Sequence, residues 1–459
     1  MVPYSAEEIR MLEEGVRNIW LCFQQMQEFE RNPVIIYEGE GIRVKGIDGK
    51  EYIDAISGAV VTGIGYSNRN VKEAMKKQID ELCWWPMLHA TNPPAVKLAK
   101  KLAEILPGNL NNAFLLSGGS EATECAMKMA RQYHIQTGNP LKTKIVSRYM
   151  AYHGSTKGAQ SASGVGGAAR FEPLLAGYVH VFPPYCYRCP YGQNVAECDF
   201  ECAQAVESMI RFEGRQTVSA VIADPIMSAG GIIVPPKEYY QRIRAICDRT
   251  DVLLIFDEVL TGFGRTGHLF ACNYYDVLPD IICLGKGMSG GYQPLAATVA
   301  RDEIAQAFRG EMSDQVAFAH GNTYGGHPIA SAAGLAAIDE LFRLQLVENS
   351  KNMGLYLMDK CLKLQDKYPI IGDVRGLGLL LGMEMVQDKT TKKMFRSKDA
   401  VVPKLRDMAM KRGLITRGSP HVWHLCPPLI VTKVEIDEII AIVDDCMQEI
   451  MREIDESAG

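Results

Sequence analysis

One lysine stands between two glycines in DIICLGKGMSGG, at the end of an apolar run where a solvated charge is out of place. Gly285 and Gly287 leave room around the backbone of Lys286. A lysine in this setting is easily desolvated, which favours the neutral amine that Schiff-base chemistry requires. Taken alone, Lys286 is better explained as a surface lysine in a turn. The choice between a surface lysine and a Schiff-base lysine therefore depends on the other motifs.

A second apolar run, VLLIFDE, ends at Asp257 and Glu258. It predicts a buried strand that delivers a carboxylate to the ligand-binding edge of a sheet. The same pattern ends the Walker B strand of nucleotide hydrolases, but the sequence lacks the G-x4-G-K-S/T loop which that function needs. We expect Asp257 to be functional and Glu258 to be a solvated strand end.

The stretch LLSGGSEATECAMKMARQYH places Gly119 and Ser120 between a predicted strand and a predicted helix. Backbone N–H groups at the start of a helix lie at the positive end of its dipole and are suited to bind a phosphate. The alternative is that Ser120 only caps the helix.

Two further motifs carry aromatic rings and hydroxyls. Tyr152 and His153 follow the predicted strand KIVSRYM, where an aromatic side chain either stacks on a planar ligand or packs against the protein. Thr323 and Tyr324 lie in the glycine-rich turn HGNTYGGHP. Together the five motifs offer an amine, a carboxylate, a phosphate cradle and a stacking ring, which are the groups that pyridoxal phosphate needs from a protein.

Strands that alternate with helices must position these groups. The apolar runs AFLLS, KIVSRY, SAVIADP, VLLIFDE and IICLGK alternate with helical periodicity, which predicts an α/β fold with a mostly parallel, doubly wound sheet. The flanking segments predict a smaller α+β domain. Its elements are a hairpin at Asp48-Gly49, a helical stretch from about Ile329 to Tyr368, a strand in GDVRGLGLLLGMEMV and a helix from Lys433.

These patterns predict three regions of the chain. We expect an N-terminal segment at 1–65 that belongs to the small domain, a large domain at 66–328, and the rest of the small domain at 329–459.

The composition, with 47% hydrophobic and 22% charged residues, is that of a globular protein. Its 49 basic and 54 acidic residues give a net charge of −5, without the basic excess expected of a nucleic-acid-binding protein. The sequence shows neither an apolar signal segment nor about 18 uninterrupted apolar residues. We therefore expect a cytoplasmic protein without nucleic-acid or membrane partners.

Thirteen scattered cysteines indicate reduced thiols and not a disulfide framework. Four of them lie close together in YCYRCPYGQNVAECDFEC, namely Cys186, Cys189, Cys198 and Cys202. Their spacing could hold zinc. The alternative, a compact loop with partly buried thiols and no metal, is the favoured interpretation.

The motifs DEVLTGFGRTG, GKGMSGGYQPLAA, SGGSEA, YHGST and GNTYGGHP all occur in this one chain. In these motifs, and from about Pro33 to Pro428, the sequence resembles the class III (ω-amino acid) aminotransferases of PLP fold type I. The resemblance implies pyridoxal 5′-phosphate as the cofactor. It also implies a ping-pong transfer of an amino group from an amine donor to a keto acid.

The resemblance implies a role for each motif. Lys286 would form the Schiff base and carry a proton, and Asp257 would pair with the pyridine nitrogen. Gly119 and Ser120 would hold the phosphate. Thr323 would join them from the other subunit of a homodimer, with a tetramer as the alternative.

Other residues would line the cofactor ring and the substrate. In the family that the chain resembles, Tyr152 would stack on one face of the ring and Val259 would support the other face, with His153 as a further cofactor contact. Val60 and Trp85, together with Tyr152, would shape an apolar mouth of the substrate pocket.

Arg417 in GLITRGSPHVWHLCPPL matches the arginine that binds the acceptor carboxylate in pyruvate-dependent ω-aminotransferases. Acetylornithine-type relatives carry an arginine where this chain has His424, and GABA and ornithine relatives carry one where it has Ser155. These departures favour pyruvate over 2-oxoglutarate. Asp224 replaces the family's glutamate, and this shorter acid would leave Arg417 freer to meet an anion. The YCYRCP segment resembles that of taurine–pyruvate enzymes, which favours taurine or β-alanine as the donor.

Several alternatives stay open. They are a 2-oxoglutarate-dependent ω-aminotransferase, an amino-acid racemase or epimerase on the same scaffold, and a decarboxylating relative. A catalytically silent binding protein is disfavoured because Lys286, Asp257 and Thr323 are all present. We predict a transaminase that converts a primary ω-amine to an aldehyde or ketone and pyruvate to alanine.

Overall fold

The computed structural model of the protein describes residues 2–165 and 168–458. The strands are β1 (Ile36–Glu40), β2 (Arg43–Gly46), β3 (Glu51–Asp54), β4 (Leu110–Leu116), β5 (Lys144–Arg148), β6 (Tyr178–Val181), β7 (Val218–Ala223), β8 (Leu253–Asp257), β9 (Ile281–Leu284), β10 (Ala296–Arg301), β11 (Ile371–Leu377), β12 (Leu380–Met385), β13 (Leu414–Ile415), β14 (Arg417–Gly418) and β15 (Val422–Leu425).

The α-helices are α1 (Ala6–Gly15), α2 (Met26–Arg31), α3 (Ser57–Val60), α4 (Arg69–Glu81), α5 (Pro93–Ile105), α6 (Gly119–Gln136), α7 (Lys157–Ala162), α8 (Glu201–Glu213), α9 (Lys237–Thr250), α10 (Ala271–Tyr275), α11 (Asp302–Gln306), α12 (Pro328–Arg343), α13 (Leu346–Lys367), α14 (Val401–Lys411) and α15 (Lys433–Ala458). Short 3-10 helices lie at Val16–Asn18, Ala168–Phe171, Cys186–Arg188, Arg215–Thr217, Lys286–Met288, Met312–Asp314 and Ser397–Asp399. Among the residues described, no helix is both long and apolar enough to cross a bilayer.

A seven-stranded sheet has the order β4-β10-β9-β8-β7-β5-β6. The five strands from β9 to β6 run parallel, whereas β10 is antiparallel to both of its neighbours. The prediction of a mostly parallel sheet is confirmed. The antiparallel strand β10 was not among the predicted runs.

The central strands are apolar because both faces of this sheet are covered. Every residue of β7 and β9 is buried. Along β8, Leu254 and Phe256 belong to one hydrophobic cluster and Ile255 belongs to the other, as the two-residue period of a strand requires. Parallel strands buried on both faces have nearly continuous apolar sequences, which made them visible in the sequence.

The two ends of the chain are joined in the smaller part of the fold. β1, β2 and β3 form an antiparallel sheet, to which the two-residue strand β13 adds in parallel beside β3. A second sheet has the order β11-β12-β15-β14. The predicted helical stretch after residue 328 is two helices, interrupted where Gln345 adopts a left-handed backbone with φ 52°. The domain boundaries themselves stay a prediction.

The segment α3 is a single left-handed turn. All four of its residues have positive φ, including 51° at Ser57 and 72° at Ala59. A left-handed backbone costs about 1–2 kcal/mol for each residue other than glycine. The carboxylate of Asp54 supports the turn by accepting the N–H of Ile56 at 2.9 Å and that of Gly58 at 2.6 Å.

Candidate active site

Lys286 begins the turn that follows β9. Its φ of 45° is left-handed, and a β-carbon placed on the preceding Gly285 would lie 3.2 Å from Cγ1 of Val259. Burial lowers the pKa of Lys286, the Asp257 carboxylate raises it in part, and the charge of Arg417 lowers it further. The net shift favours the free amine relative to an exposed lysine.

Asp257 ends the neighbouring strand β8 and is 6% exposed. Its Oδ2 lies 2.8 Å from Nδ1 of His153, and its Oδ1 accepts the N–H of Val259 at 3.2 Å. Since a carboxylate only accepts, Nδ1 of His153 carries the hydrogen in this bond. The acid is thereby fixed at the carboxyl end of the sheet, where open α/β sheets bind their ligands.

The backbone on both sides holds His153. Its N–H donates to Oγ of Ser163 at 2.8 Å, and its carbonyl accepts the Thr123 hydroxyl at 2.7 Å. Its Nε2 is shielded and has no hydrogen-bond partner in the described part of the chain. His153 therefore orients Asp257 and leaves one acceptor atom for a ligand.

The start of α6 forms an anion cradle. Glu121 accepts the N–H of Gly118 at 2.9 Å, whereas the amides of Gly119 and Ser120 have no acceptor among the described residues. Such amides at a helix start attract a phosphate. A β-carbon on Gly119 would lie 2.7 Å from Cγ1 of Val259, so only glycine allows this approach.

The loop after β5 brings Tyr152 to the cradle. Gly154 has φ 135°, and a β-carbon there would lie 2.8 Å from Cα of Ser120. The next residue, Ser155, donates its N–H to Oγ of Ser120 at 3.1 Å, and the Tyr152 hydroxyl lies 3.0 Å from Oγ of Ser155. The half-buried ring of Tyr152 is thus held beside the helix start.

Asp224, at the position of the family's glutamate, is bound by a buried arginine. Nη2 of Arg148 donates to Oδ1 of Asp224 at 2.7 Å, and Nη1 donates to the Tyr240 hydroxyl at 2.7 Å. The N–H of Tyr152 reaches Oδ2 of Asp224 at 3.5 Å. The carboxylate is neutralised by Arg148 and supports the Tyr152 loop.

The left-handed turn α3 places Val60 next to the lysine loop. Val60 and Gly287 both line a small cavity of about 10 Å³. Arg265, which is 3% exposed, ties the turn to the rest of the site by donating to Oγ of Ser57 at 3.1 Å and to the carbonyl of Pro427 at 2.6 Å.

Thr323 and Trp85 lie on two loops that touch each other. Nδ2 of Asn92 donates to the carbonyl of Gly326 at 2.9 Å and so links the loops. Trp85 is 44% exposed, and Thr323 is also exposed. Within the described chain neither side chain forms a hydrogen bond with Lys286.

Arg417 lies on the short strand β14, opposite His424 of β15. Its guanidinium forms neither a hydrogen bond nor an ion pair among residues 2–165 and 168–458, although its charge is felt by Lys286. An unpaired cation is therefore within electrostatic reach of the lysine.

The expectation of a solvated Glu258 is wrong. The residue is fully buried and accepts the N–H groups of Ala271 at 2.6 Å and Cys272 at 2.7 Å, which begin α10. Its carboxylate satisfies amides that a short helix leaves without partners.

The four-cysteine loop shows no metal-binding geometry. Among the described residues, no group of three or more His, Cys, Asp or Glu side chains is arranged to hold a metal ion. Burial and the neighbouring thiols raise the pKa of Cys202 to about 12.

The residues around Lys286 fit pyridoxal phosphate. The amides of Gly119 and Ser120 suit its phosphate, Asp257 suits its ring nitrogen, and Lys286 suits its aldehyde. A match to the family described as aminotransferase class-III covers residues 25–447. The chain is a class III aminotransferase.

Related proteins agree with this family. The aminotransferase is 38% identical, over 96% of its chain and 97% of the relative, to the adenosylmethionine-8-amino-7-oxononanoate aminotransferase of Geobacter sulfurreducens. It is 36% identical, over 96% of its chain and 97% of the relative, to the taurine–pyruvate aminotransferase of Bilophila wadsworthia. Its fold matches the (S)-enantioselective ω-transaminase of Thermomicrobium roseum with a TM-score of 0.92 and 37% identity, over 97% and 99% of the two chains.

Sequence reasoning missed the supporting residues of this aminotransferase. Arg148, Arg265 and Glu121 carry no chemistry of their own, and each acts by holding another residue in place. The only signal was a charged residue at the end of an apolar run, as with Arg148 in KIVSR, or inside a motif, as with Arg265 in GFGRTG.

Proposed function

We propose that this aminotransferase moves the amino group of a small ω-amino acid, such as taurine or β-alanine, to pyruvate, with pyridoxal 5′-phosphate held at Lys286. The observation that carries the proposal is the buried amine of Lys286, whose pKa is lowered by burial, raised in part by the charge of Asp257 and lowered further by the unpaired guanidinium of Arg417. One unpaired arginine suits two substrates that each carry a single acid group.

Each neighbouring group has a defined task in this proposal. Bound pyridoxal phosphate supplies an aldehyde that exchanges amines and a ring that takes up electron density from the reacting carbon. Asp257, fixed by His153, holds a proton on the ring nitrogen. Nζ of Lys286, with its lowered pKa, would take a proton from the reacting carbon of the donor and deliver it to the carbon that carried the cofactor's aldehyde, so that the amino group stays with the cofactor.

Arg417 recognises the acid group of the acceptor. Its planar guanidinium can donate two parallel hydrogen bonds to the carboxylate of pyruvate. Asp224 does not compete for this arginine because Arg148 already neutralises it. The guanidinium of Arg417 is thus left to bind the single carboxylate of a monocarboxylic acid.

Half-reactions test the donor and the acceptor separately. The purified holoenzyme is mixed with taurine, β-alanine, GABA, putrescine or 1-phenylethylamine, and the absorbance of the bound cofactor is followed. Pyruvate or 2-oxoglutarate is then added to the aminated enzyme. We expect taurine or β-alanine to react and pyruvate to restore the spectrum. Recovery with 2-oxoglutarate alone would contradict the acceptor assignment, and racemisation of alanine without any keto acid would support a racemase.

We also infer that the working form is a homodimer in which Thr323 serves the site of the partner subunit. The exposure of Thr323 and Trp85 on touching loops supports this inference. Mixing subunits tests it, because a Lys286→Ala chain can lend Thr323 to a Thr323→Asp chain that keeps its lysine. We expect the mixture to regain activity that each variant alone lacks. If the mixture is as inactive as each variant alone, Thr323 does not act across an interface.

A further inference from the structure

A cavity of about 660 Å³ lies between the loop that follows β6 and the sheet of β11 and β12. One side comes from the loop of residues 185–195, and the other comes from Asp373 and Arg375 of β11 and from Lys392. The residues that line it do not include any of the groups placed around Lys286. Its volume is in the range of sites that bind small organic molecules.

Arg375 fixes the wall of this cavity. Its guanidinium donates to Oδ2 of Asp373 at 2.6 Å and to Oε2 of Glu384 at 2.8 Å. It also donates to the carbonyl of Gly231 at 2.6 Å and lies 4.9 Å from the ring centre of Tyr185. Since the chain makes these contacts by itself, the wall is in place before any ligand binds, and little ordering opposes binding.

Lys392 brings an unpaired positive charge to the cavity. Its Nζ donates to the carbonyl of Tyr187 at 2.8 Å and lies 4.7 Å from the centre of that ring. Lys392 forms no ion pair with any residue of 2–165 or 168–458, whereas Asp373 and Glu384 balance the charge of Arg375. An ammonium group has three hydrogens, so two of them are left for a ligand. The cavity therefore favours an anion.

The backbone of Lys392 is held in an unfavourable conformation. Its φ of 54° is left-handed, which a lysine normally avoids. The carbonyl of Lys392 accepts Nη1 of Arg188 at 2.7 Å, so this bond and the bond from Nζ to Tyr187 hold both ends of the residue. Strained residues of this kind cluster at sites that clamp ligands. The strain is a second indication, independent of charge, that the position of this ammonium group matters.

The remaining lining suits an organic molecule. It includes the aliphatic residues Ile233 and Val234, the aromatic residues Tyr185 and Tyr187, and the amide residue Gln193. Mostly apolar walls with a few polar groups are typical of sites for organic ligands. An inorganic anion would leave the apolar walls uncovered, whereas an anion with an apolar body would cover them.

We propose that this cavity is a second ligand site of the aminotransferase, and that it binds a small organic anion with one acid group and an aromatic or aliphatic body. The acid group accepts the free hydrogens of Nζ of Lys392, and the body packs against the apolar walls. Glu384 also pairs with Arg188, so the two acids and the two arginines of the wall balance each other and one positive charge is left over. This site does not depend on which donor and acceptor the enzyme uses.

Equilibrium binding of 2-naphthoate tests the site. This probe is an aromatic monoanion without an amine, and 2-naphthylmethanol is its uncharged counterpart. Calorimetry on the holoenzyme gives the dissociation constants. We expect Lys392→Met to weaken the binding of 2-naphthoate at least about tenfold, as the loss of a hydrogen bond to a charged group implies. We expect 2-naphthylmethanol to bind the unaltered protein more weakly than 2-naphthoate by a similar factor.

Two control variants separate this cavity from other basic groups. Lys389→Met removes a lysine of the same loop whose Nζ donates to the carbonyl of Gln365 and which does not line the cavity. Arg417→Met removes the cation that acts on Lys286. Both variants should keep the binding that depends on Lys392. The proposal is overturned if 2-naphthoate does not bind, if Lys392→Met binds it unchanged, if the uncharged probe binds equally well, or if Arg417→Met abolishes the binding.

Discussion

The buried pair of Arg148 and Asp224 offers a sharp test of how the site is supported. Their side chains are 2% and 10% exposed, and they meet at 2.7 Å. Replacing Asp224 with alanine leaves the guanidinium of Arg148 buried without its counter-charge. Breaking a buried pair in this way costs about 3–5 kcal/mol. Since the Tyr240 hydroxyl and a backbone carbonyl still accept from Arg148, we expect the lower end, about 3 kcal/mol.

Thermal unfolding of the holoenzyme measures this loss. With an unfolding entropy of about 2.1 cal/mol/K per residue, each kcal/mol shifts the Tm of a chain of 459 residues by about 1 °C. Asp224→Ala should therefore lower Tm by at least about 3 °C. Asp359→Ala is the control, because it breaks an exposed pair with Lys363 whose side chains are 56% and 69% exposed. That change should cost less than about 1 kcal/mol.

The double variant Arg148→Met/Asp224→Leu distinguishes a buried charge from lost packing. Replacing both partners with apolar side chains of similar size is often neutral or stabilising. The double variant should therefore melt above Asp224→Ala, although Tyr152 loses a support and turnover should stay low. A Tm loss below about 1 °C for Asp224→Ala, or a double variant that melts no higher than Asp224→Ala, would refute the reasoning.

Three further predictions concern single residues. Lys286→Ala should prevent borohydride from fixing the cofactor covalently to the chain, and mass spectrometry that still finds the adduct would exclude Lys286. Ala59→Gly should raise stability by about 0.5–1 kcal/mol, because relief of a left-handed backbone at φ 72° exceeds the entropic cost of glycine, and a lower Tm would contradict this. His424→Gln should remove part of the acid sensitivity. The pKa of His424 is about 3 in the fold against 6.5 in an unfolded chain, so the unfolded state binds more protons between these values. The free energy of unfolding of the unaltered protein should therefore fall as the pH drops through that window, by about 2 kcal/mol at about pH 5. If the unaltered protein and His424→Gln lose equal Tm on acidification, His424 is not a source of the acid sensitivity.

Local patterns were sufficient for much of the fold. The runs that became β5, β7, β8 and β9 were visible because strands buried on both faces are continuously apolar, whereas the edge strand β4 was visible only in its apolar second half, AFLL. Lys286 and Asp257 stood out because each placed a charge directly after such a run. The same local reasoning failed for Glu258, since its partners are amides of α10 that no pattern at the strand end reveals.

Long-range contacts account for the rest. The insertion of β10 between β4 and β9 depends on pairing between distant segments. The neutralisation of Asp224 by Arg148 joins the ends of two strands, and nothing near either residue predicts its partner. The left-handed turn at α3 contains three residues that normally avoid that backbone, so propensity argues against the observed conformation.

That turn shows how distant residues control the site. Val60, at positive φ, lines the same small cavity as Gly287, the residue that follows Lys286. Strained backbone persists only where surrounding contacts over-determine it. At α3 those contacts come from Asp54 and Arg265, neither of which is among the groups that would contact the cofactor. Because Arg265 also binds the carbonyl of Pro427, the position of Val60 is tied to the segment that follows His424 on β15. The apolar wall beside Lys286 and the strand that carries His424 therefore share one buried arginine, and a change at Arg265 should alter both together.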